Sequence, residues 1–180
     1  MQTRKLILYI ASSLDGYIAG PGDDLSFLDK VTIEGEDYGY GKFMETIDTI
    51  LIGRKTYDWI ISNAPEYAHP DRRVYVITHN HRPSVGNTIF YTSHLEQLVQ
   101  TLKAEEGKNI FCDGGAEVVN TLLKLKMFDE LIISIVPVIL GKGTRLFKDE
   151  NPQHNLELVS STQFKTGLVQ LHFKIVSFEE

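Results

Sequence analysis

The chain has 180 residues, with 24 acidic and 18 basic side chains, which gives a net charge of −6 at pH 7. This acidic balance argues against nucleic acid as the main partner, because a phosphate backbone attracts a basic surface. A single cysteine, Cys112, excludes an internal disulfide and a cysteine-rich zinc cluster. No apolar run reaches the roughly 18 residues of a membrane span, and the polar start, 1–5, lacks a signal-peptide core. We therefore expect a cytoplasmic protein that forms one domain over 1–180.

Apolar periodicity divides the chain into alternating strands and helices. In chain order, the predicted elements are a strand at 5–11, a loop at 13–24 with a short extended piece at 17–19, a helix at 38–45, a strand at 49–52, a helix at 56–61, a polar loop at 63–73, strands at 74–78 and 88–91, a helix at 95–106, a strand at 109–112, a helix at 115–126, a long strand at 130–140 interrupted by Pro137, and a hairpin of strands 156–164 and 168–178. This order predicts an α/β fold with a mixed, mostly parallel sheet, helices on both faces and a C-terminal antiparallel hairpin.

Three polar or glycine-containing turns follow predicted strands, at the sheet edge where open α/β folds bind ligands. Free N–H groups at the helix start that follows the first turn suit a phosphate, and the two glycines of the second turn permit close approach of a ligand to the backbone. The turns comprise Gly53, Arg54, Lys55 and Thr56; Asp113, Gly114, Gly115, Ala116 and Glu117; and Thr78, His79, Asn80, His81 and Arg82.

Each turn also has an interpretation that requires no ligand. The first is then a strand–helix turn with two solvated cations, the second a tight turn that needs positive φ angles, and the third a solvated polar loop. The second turn lacks the full G-x-G-x-x-G dinucleotide fingerprint. The residue pattern alone therefore leaves phosphate binding open.

Motifs for other chemistries are missing from the sequence. Its six histidines include no H-E-x-x-H motif, so no metal site is expected. There is no G-x-S-x-G hydrolase motif, and Asp15, Asp23 and Asp24 lack EF-hand spacing. Cys112 follows an apolar strand and is expected to be a buried small hydrophobe.

Four motifs occur in order along the chain: ASSLDGYIA at 11–19, ILIGRKTY at 50–57, DGGAE at 113–117, and EL followed by PVILG and F between 130 and 147. This set resembles the dihydrofolate reductase-like superfamily, and most closely the branch that contains the reductase domain of riboflavin biosynthesis. The resemblance covers roughly residues 4–177. It implies a three-layer fold around an eight-stranded sheet, with NADPH as the hydride donor.

The resemblance also implies which residues bind the cofactor. It implies a nicotinamide near Ala11, Ile18 and Ala19; a pyrophosphate and an adenosine-side phosphate at Gly53, Arg54, Lys55 and Thr56; an adenine ribose near Thr78, His79, Asn80 and His81; and a pyrophosphate wrapped by Gly114, Gly115, Ala116, Glu117 and Val118.

Two residues are expected to be catalytic by the same resemblance. Dihydrofolate reductases carry an acidic residue on the helix before the G-R-x-T strand, where it helps protonate the pterin, and Asp37 matches that position. Ser134 falls where those enzymes have a threonine behind the acid. An equal alternative is that Asp37 only caps the helix.

Tyr17, Tyr38 and Trp59 are candidates for packing against a planar substrate. Each of them could equally be a core residue.

The function implied is NADPH-dependent reduction of a pyrimidine or pteridine-like heterocycle, resembling that of 5-amino-6-(5-phosphoribosylamino)uracil reductase. Two alternatives stay open: a true dihydrofolate reductase, and a non-catalytic nucleotide-binding protein. One cysteine cannot hold the zinc of a riboflavin deaminase, and its H-x-E and P-C-x-x-C motifs are missing. We therefore expect a reductase module without a deaminase. Because the riboflavin branch is commonly dimeric, we also expect a homodimer.

Overall fold

A computed structural model describes residues 3–176 of the chain. Within this range the strands are β1 (Leu6–Ser13), β2 (Tyr17–Ala19), β3 (Ile47–Gly53), β4 (Arg73–Ile77), β5 (Thr88–Tyr91), β6 (Asn109–Gly114), β7 (Glu130–Val136), β8 (Thr144–Arg145), β9 (Asn155–Gln163) and β10 (Val169–Val176). Eight of them form one sheet in the order β5-β4-β3-β6-β1-β7-β10-β9, and β2 pairs separately with β8. Only the pairs that involve β10 are antiparallel within the described part of the large sheet. The predicted eight-stranded, mostly parallel sheet and its C-terminal hairpin are confirmed.

Helices cover both faces of this sheet. The α-helices of the described range are α1 (Tyr40–Met44), α2 (Arg54–Asn63), α3 (Leu95–Ala104) and α4 (Ala116–Lys124). Side chains of α3 and α4 pack with Leu6 and Leu8 of β1, whereas side chains of α1 and α2 pack with Ile7. Since successive strand residues point to opposite faces, the two helix pairs lie on opposite sides of the sheet. Cys112 is fully buried in the α3–α4 layer, as predicted.

Of the element boundaries that differ from the prediction, two do so because of local backbone chemistry. The helix predicted at 38–45 begins later, at Tyr40, because Tyr38 and Gly39 have φ angles of 57° and 82° in the left-handed region. The strand predicted at 130–140 ends at Val136, because Pro137 has no N–H for the strand ladder.

Several short elements were not predicted. A 3-10 helix at Ser26–Val31 and the two-residue strand β8 have too few residues to show a periodic apolar pattern. Phe178, in the last predicted strand, lies outside the described residues. No helix within 3–176 has the length and apolar character needed to cross a membrane.

Arg4 anchors the end of the sheet opposite the three turns. The residue lies just before β1 and is only 3% exposed. Its guanidinium donates hydrogen bonds to the carbonyl oxygens of Leu102 and Lys108 and to the side chains of Asp48, Thr49 and Glu105. This buried cation therefore ties β1 to β3 and to the connection between α3 and β6.

Candidate active site

The three turns predicted from the sequence lie side by side. Gly53 ends β3, Gly114 ends β6, and Thr78 directly follows β4. Because β3 lies between β4 and β6, and neighbouring strands are about 4.8 Å apart, the three turns share one sheet edge. This edge is where open α/β sheets form a ligand-binding crevice.

The first two turns are in direct contact and present bare backbone. A Cβ atom at Gly53 would lie 3.3 Å from the nitrogen of Gly115, and one at Gly115 would lie 3.0 Å from Oγ1 of Thr56. Gly114 has a φ angle of 92°, and the peptide bond between Gly114 and Gly115 is cis. Helices α2 and α4 begin at this contact. The first N–H groups of a helix have no partner within the helix and suit a phosphate.

A shared carboxylate joins the third turn to α2. Asp58 accepts a hydrogen bond from Nη1 of Arg54 at 2.9 Å and another from Nη1 of Arg82 at 2.9 Å. Burial raises the pKa of Asp58, but the two guanidinium groups outweigh burial and hold it below its usual range. Oγ1 of Thr78 accepts the N–H of Asn80 at 3.1 Å, which closes the turn. Arg82, which the resemblance did not assign to the cofactor, therefore lies with Arg54 in one cationic cluster.

The loop after β1 is tied to the segment after β7. Asp15 accepts hydrogen bonds from the Ser13 hydroxyl at 2.6 Å and from the N–H groups of Leu140 and Gly141 at 3.0 and 2.7 Å. These bonds, that of Ser13 above all, lower the pKa of Asp15 to about 2. The loop leads from Ala11 in β1 to Ile18 and Ala19 in β2. Ile10 of β1 lies next to the second turn, since a Cβ atom at Gly114 would be 3.4 Å from its Cδ1.

A cleft opens beside the second turn, on the face covered by α1 and α2. Its lining residues are Ile50, Ile52, Tyr57, Ile60, Tyr67, Ala68, His69, Val74 and Asp113. Burial raises the pKa of Asp113 to about 7. The cleft therefore combines apolar and aromatic walls with a carboxyl that can hold and release a proton at neutral pH.

His69 faces the same cleft and is paired with a tyrosine. Its Nε2 atom lies 2.9 Å from the hydroxyl oxygen of Tyr40. Burial, and then the nearby Arg72, lower the pKa of His69, whereas burial raises the pKa of Tyr40. Both side chains are therefore uncharged at pH 7.

Asp37 lies where it stabilises the start of α1. Its carboxylate accepts the N–H groups of Gly39 at 2.8 Å and Gly41 at 2.9 Å. These backbone hydrogen bonds, with that of Gly41 the larger, lower the pKa of Asp37 below its usual range. An exposed carboxylate with a lowered pKa is a poor proton donor at pH 7, so the geometry favours the capping alternative.

Ser134 belongs to a polar cluster that sequence reasoning missed. Gln170 donates through Nε2 to Oγ of Ser134 at 3.1 Å, to the Tyr9 hydroxyl at 2.9 Å and to the Tyr38 carbonyl at 3.2 Å. The Tyr9 hydroxyl donates to the same carbonyl at 2.9 Å. Ser134 therefore lies in contact with Gln170, which also binds Tyr9. The sequence alone could not predict this cluster, because it depends on the strand register that places Ser134 beside Ala11 and Gln170.

The aromatic residues of the cleft are not those expected from the sequence. Tyr17 packs under the guanidinium of Arg145, and the Tyr38 ring packs on Phe164. Trp59, 38% exposed on α2, does not line the cleft either. Tyr57 and Tyr67 line the cleft, and their positions in the motif at 50–57 and in the polar loop were the available signal. Within residues 3–176, no group of three or more His, Cys, Asp or Glu side chains is placed to hold a metal ion.

Comparison with known proteins gives the family. The model of the RibD C-terminal domain matches residues 4–170. The chain belongs to the RibD C-terminal domain family. The uncharacterized protein YwjB of Bacillus subtilis (strain 168) is 38% identical over 94% of this chain and 97% of its own length. Family membership supports a reductase-like function of the riboflavin pathway.

Solved structures agree with this family. A protein named for riboflavin biosynthesis, from Shewanella sp. PV-4, has a TM-score of 0.86 at 25% identity and covers 96% of this chain and 99% of its own. The deaminase and 5-amino-6-(5-phosphoribosylamino)uracil reductase of Thermotoga maritima has a TM-score of 0.71 at 15% identity, over 97% of this chain and 57% of its own. Dihydrofolate reductase from Enterococcus faecalis, complexed with NADP(H), has a TM-score of 0.64 at 16% identity, over 96% of this chain and 97% of its own. The last two show the fold alone, and they confirm that it is dihydrofolate reductase-like.

Proposed function

We propose that the protein is an NADPH-dependent reductase of a pyrimidine-like heterocycle, with Asp113 as the proton donor. One observation carries this proposal: a carboxyl whose pKa is about 7 lies in a cleft and is followed directly by the bare turn at Gly114 and Gly115. A reductase needs a nicotinamide site and a proton source next to each other.

That the protein acts in the cytoplasm is a further proposal, which rests on the sequence.

The residues at the sheet edge fit a dinucleotide. The space beside Gly115 would be filled by any side chain, since even a Cβ atom would lie 3.0 Å from Thr56. In our proposal the residues that hold the cofactor are Gly53, Arg54, Lys55, Thr56 and Gly114, Gly115, Ala116, Glu117, Val118 at the phosphates; Thr78, His79 and Asn80 at the ribose; and Ala11, Ile18 and Ala19 at the nicotinamide. NADPH, when bound, supplies a hydride ion.

The chain's own residues orient the substrate and deliver a proton. Tyr57 and Tyr67 provide flat apolar walls for a planar ring. Where a C=N or C=O bond of the substrate is reduced, the neutral carboxyl of Asp113 would donate its proton to the nitrogen or oxygen. Asp113 is left as a carboxylate and regains a proton from water. In our proposal Asp113 takes the role that the resemblance gave to Asp37, and Ser134 positions the side chain of Gln170 through its hydrogen bond.

The competing functions receive less support. A dihydrofolate reductase would need Asp37 to protonate the pterin, but backbone N–H groups of α1 occupy its carboxylate. A non-catalytic binding protein gains nothing from a carboxyl that burial keeps partly protonated at neutral pH, because such burial costs stability.

A turnover assay tests the proposal. Purified protein is mixed with NADPH and either dihydrofolate or an aminouracil, and the absorbance of NADPH is followed. We expect NADPH consumption with the aminouracil and none above background with dihydrofolate. Consumption with dihydrofolate alone would contradict the proposal.

We expect NADPH to bind far more tightly than NADH. Charge-assisted hydrogen bonds from Arg54 and Arg82 to a 2′-phosphate contribute about 1.5–3 kcal/mol each, which is roughly tenfold or more in affinity per bond. Arg82→Met should weaken NADPH binding by roughly tenfold and leave NADH binding unchanged. Calorimetric titration of both cofactors measures this, with Lys124→Met on α4 as a control for lost charge. Equal dissociation constants for NADPH and NADH in the wild-type protein would refute the prediction.

Gly115→Val is expected to abolish NADPH binding while the fold survives. The added side chain would occupy the space between Gly115 and Thr56, where we place the pyrophosphate. Gly167→Ala, at a φ angle of 84° in the β9–β10 turn, is a control that adds backbone strain away from the site. Thermal midpoint and NADPH titration are measured side by side. A folded Gly115→Val protein that binds NADPH at wild-type strength would show that the cofactor is misplaced.

We propose a homodimer, formed through the β9 edge of the sheet. β9 is an edge strand with Leu156, Leu158 and Val159 between 43% and 54% exposed. Exposed apolar edges favour pairing with another chain. Light scattering should report a mass of twice the 20.4 kDa of one chain. Leu158→Lys should lower the measured mass toward that of a single chain. A wild-type mass of 20.4 kDa at micromolar concentration would contradict this.

A further inference from the structure

The loop between β1 and β2 is hydrogen-bonded to the segment that follows β7. The two carboxylate oxygens of Asp15 accept the N–H groups of Leu140 and Gly141, at 3.0 and 2.7 Å. Beside them, the N–H of Leu14 donates to the carbonyl oxygen of Val138 at 2.8 Å. Hydrogen bonds to an ionised carboxylate are stronger than those between neutral groups. Much of the link between the loop and this segment therefore depends on the Asp15 side chain.

The same segment also contacts β2 directly. It continues into β8, which pairs with β2 in antiparallel orientation. A Cβ atom at Gly143 would clash with the carbonyl oxygen of Ala19, so the two backbones pack without a side chain between them. The N–H of Leu146 donates to the carbonyl oxygen of Gly16 at 2.9 Å. The position of β2 is therefore coupled to that of the segment to which Asp15 links the preceding loop.

β2 lies near the turns at which we place the cofactor. Ile18 of β2 and Ile10 of β1 belong to the same apolar cluster as Val118 of α4. Val118 lies against the first turn, since a Cβ atom at Gly53 would be 3.3 Å from its Cγ2. The loop that Asp15 holds therefore leads into a strand that packs in the same layer as the residues behind the glycine turns.

We propose that Asp15 is a positioning residue, whose carboxylate holds the β1–β2 loop and β2 where they form one wall of the nicotinamide site. The inference rests on the proposed function and deepens it, because it names a residue that acts on the nicotinamide through Ala11, Ile18 and Ala19. The phosphates lie on other turns in our proposal, so cofactor affinity and ring orientation can be separated. A misplacement of about 1 Å at the reacting atoms costs roughly 10²-fold in rate.

Two variants weaken this wall from different sides, and each has a matched control. Asp15→Asn keeps the shape of the side chain but turns an NH₂ group toward a donor, whose hydrogen bond it cannot accept. Asp23→Asn is its control, because Asp23 is exposed after β2 and has a φ angle of 61°, which asparagine also adopts. Gly143→Ala displaces β2 at Ala19. Gly22→Ala is its control, since it adds strain at a φ angle of 75° where a Cβ atom would meet nothing within 4 Å.

The measurements separate the link itself, cofactor affinity and ring orientation. Hydrogen exchange of the Leu140 and Gly141 N–H groups tests the link without any ligand. In a titration with NADPH, quenching of Trp59 on α2 follows occupation of the phosphate side, whereas the emission of the reduced nicotinamide follows the surroundings of the ring. Turnover of 5-amino-6-(5-phosphoribosylamino)uracil gives kcat, and NADPH deuterated at the transferred position gives the isotope effect on hydride transfer.

We expect Asp15→Asn to speed exchange of the Leu140 and Gly141 N–H groups by at least about tenfold, because both lose a strong acceptor. It should lower kcat by roughly 10²-fold and raise the isotope effect, since hydride transfer becomes the slow step. The NADPH dissociation constant from Trp59 should stay within about twofold of the wild-type value, while the change in nicotinamide emission becomes smaller. Gly143→Ala should lower kcat and the emission change in the same way, and both controls should match the wild type.

Three results would overturn the inference. Unchanged exchange at Leu140 and Gly141 in Asp15→Asn would show that the carboxylate does not hold the loop. Faster exchange with wild-type kcat and nicotinamide emission would show that the loop does not position the ring. A parallel loss of thermal midpoint, NADPH affinity and kcat would assign Asp15 to folding alone. Failure of the wild-type protein to bind NADPH would instead overturn the proposed function.

Discussion

Replacement of Asp113 by asparagine is expected to lower kcat by about 10²–10⁴-fold, the range for loss of a general acid. Asparagine has nearly the same shape but cannot donate a proton at neutral pH, so NADPH binding at the adjacent turn should change little. Because the acid form of Asp113 is lost as the pH rises through about 7, the wild-type kcat should fall above that pH. The measurement is kcat over a pH series that brackets 7, for both proteins.

The same substitution is expected to stabilise the fold in alkaline solution. The folded-state pKa of about 7 lies above the unfolded value of 3.8, so folding favours the neutral carboxyl. This contribution to stability is complete below pH 3.8 and is lost as the pH rises through about 7. At about pH 8 the ionised carboxyl costs up to about 4 kcal/mol, at 1.36 kcal/mol for each pKa unit. Asp113→Asn should therefore show a raised thermal midpoint at about pH 8 and an unchanged one at about pH 3.

Asp37→Asn is the matched control, because it also removes one carboxylate near the site. We expect it to keep kcat close to the wild-type value, since Asp37 contacts only the backbone at the start of α1 in our account. If Asp37→Asn abolished turnover and Asp113→Asn did not, the assignment of the proton donor would be reversed.

Arg4→Met is expected to cost about 3 kcal/mol of the free energy of unfolding, the lower end of the range for breaking a buried ion pair, because Asp48 and Glu105 are 38% and 37% exposed. The guanidinium is almost fully buried, and its removal leaves Asp48, Thr49 and Glu105 without their shared donor. Denaturation by urea measures the change. NADPH affinity of the folded fraction should be unaffected, since Arg4 lies at the opposite end of the sheet from the turns.

Lys124→Met is the control for Arg4→Met. Lys124 forms an exposed ion pair with Glu150 at 3.0 Å, and such pairs contribute about 0–1 kcal/mol. If both substitutions changed stability by less than about 1 kcal/mol, the network around Arg4 would not be the anchor we describe.

Much of the fold could be predicted because its strands are buried on both faces. Such strands appear in the sequence as continuous apolar runs, and β1 and β3 are clear examples. The glycine turns at the ends of β3 and β6 then predicted the edge of the sheet at which we place the ligand. Domain number, cofactor preference, residue roles, homodimer and cytoplasmic location stay predictions, because they depend on ligands, partners or surroundings outside a single chain.

The proton donor could not be chosen from the sequence. Asp113 stood in a glycine turn and was interpreted as part of the cofactor site, whereas its pKa depends on burial by residues such as Ile60 and His69 that are distant in sequence. Asp37 stays a predicted candidate acid with capping as its alternative, because its orientation follows from the left-handed backbone at Tyr38 and Gly39, which the sequence does not show. Strand register, which brings Gln170 to Ser134, is likewise invisible in a single sequence.

The central claim is that NADPH lies on the turns at Gly53 and Gly115. Trp59 is the single tryptophan of the chain and lies on α2, which begins at the first of these turns. The most direct measurement is the fluorescence of Trp59 during a titration with NADPH, in the wild-type protein and in Gly115→Val. We predict saturable quenching with one site per chain in the wild type, and its loss in the folded variant. No saturable quenching in the wild type, or the same titration curve in both proteins, would contradict the account.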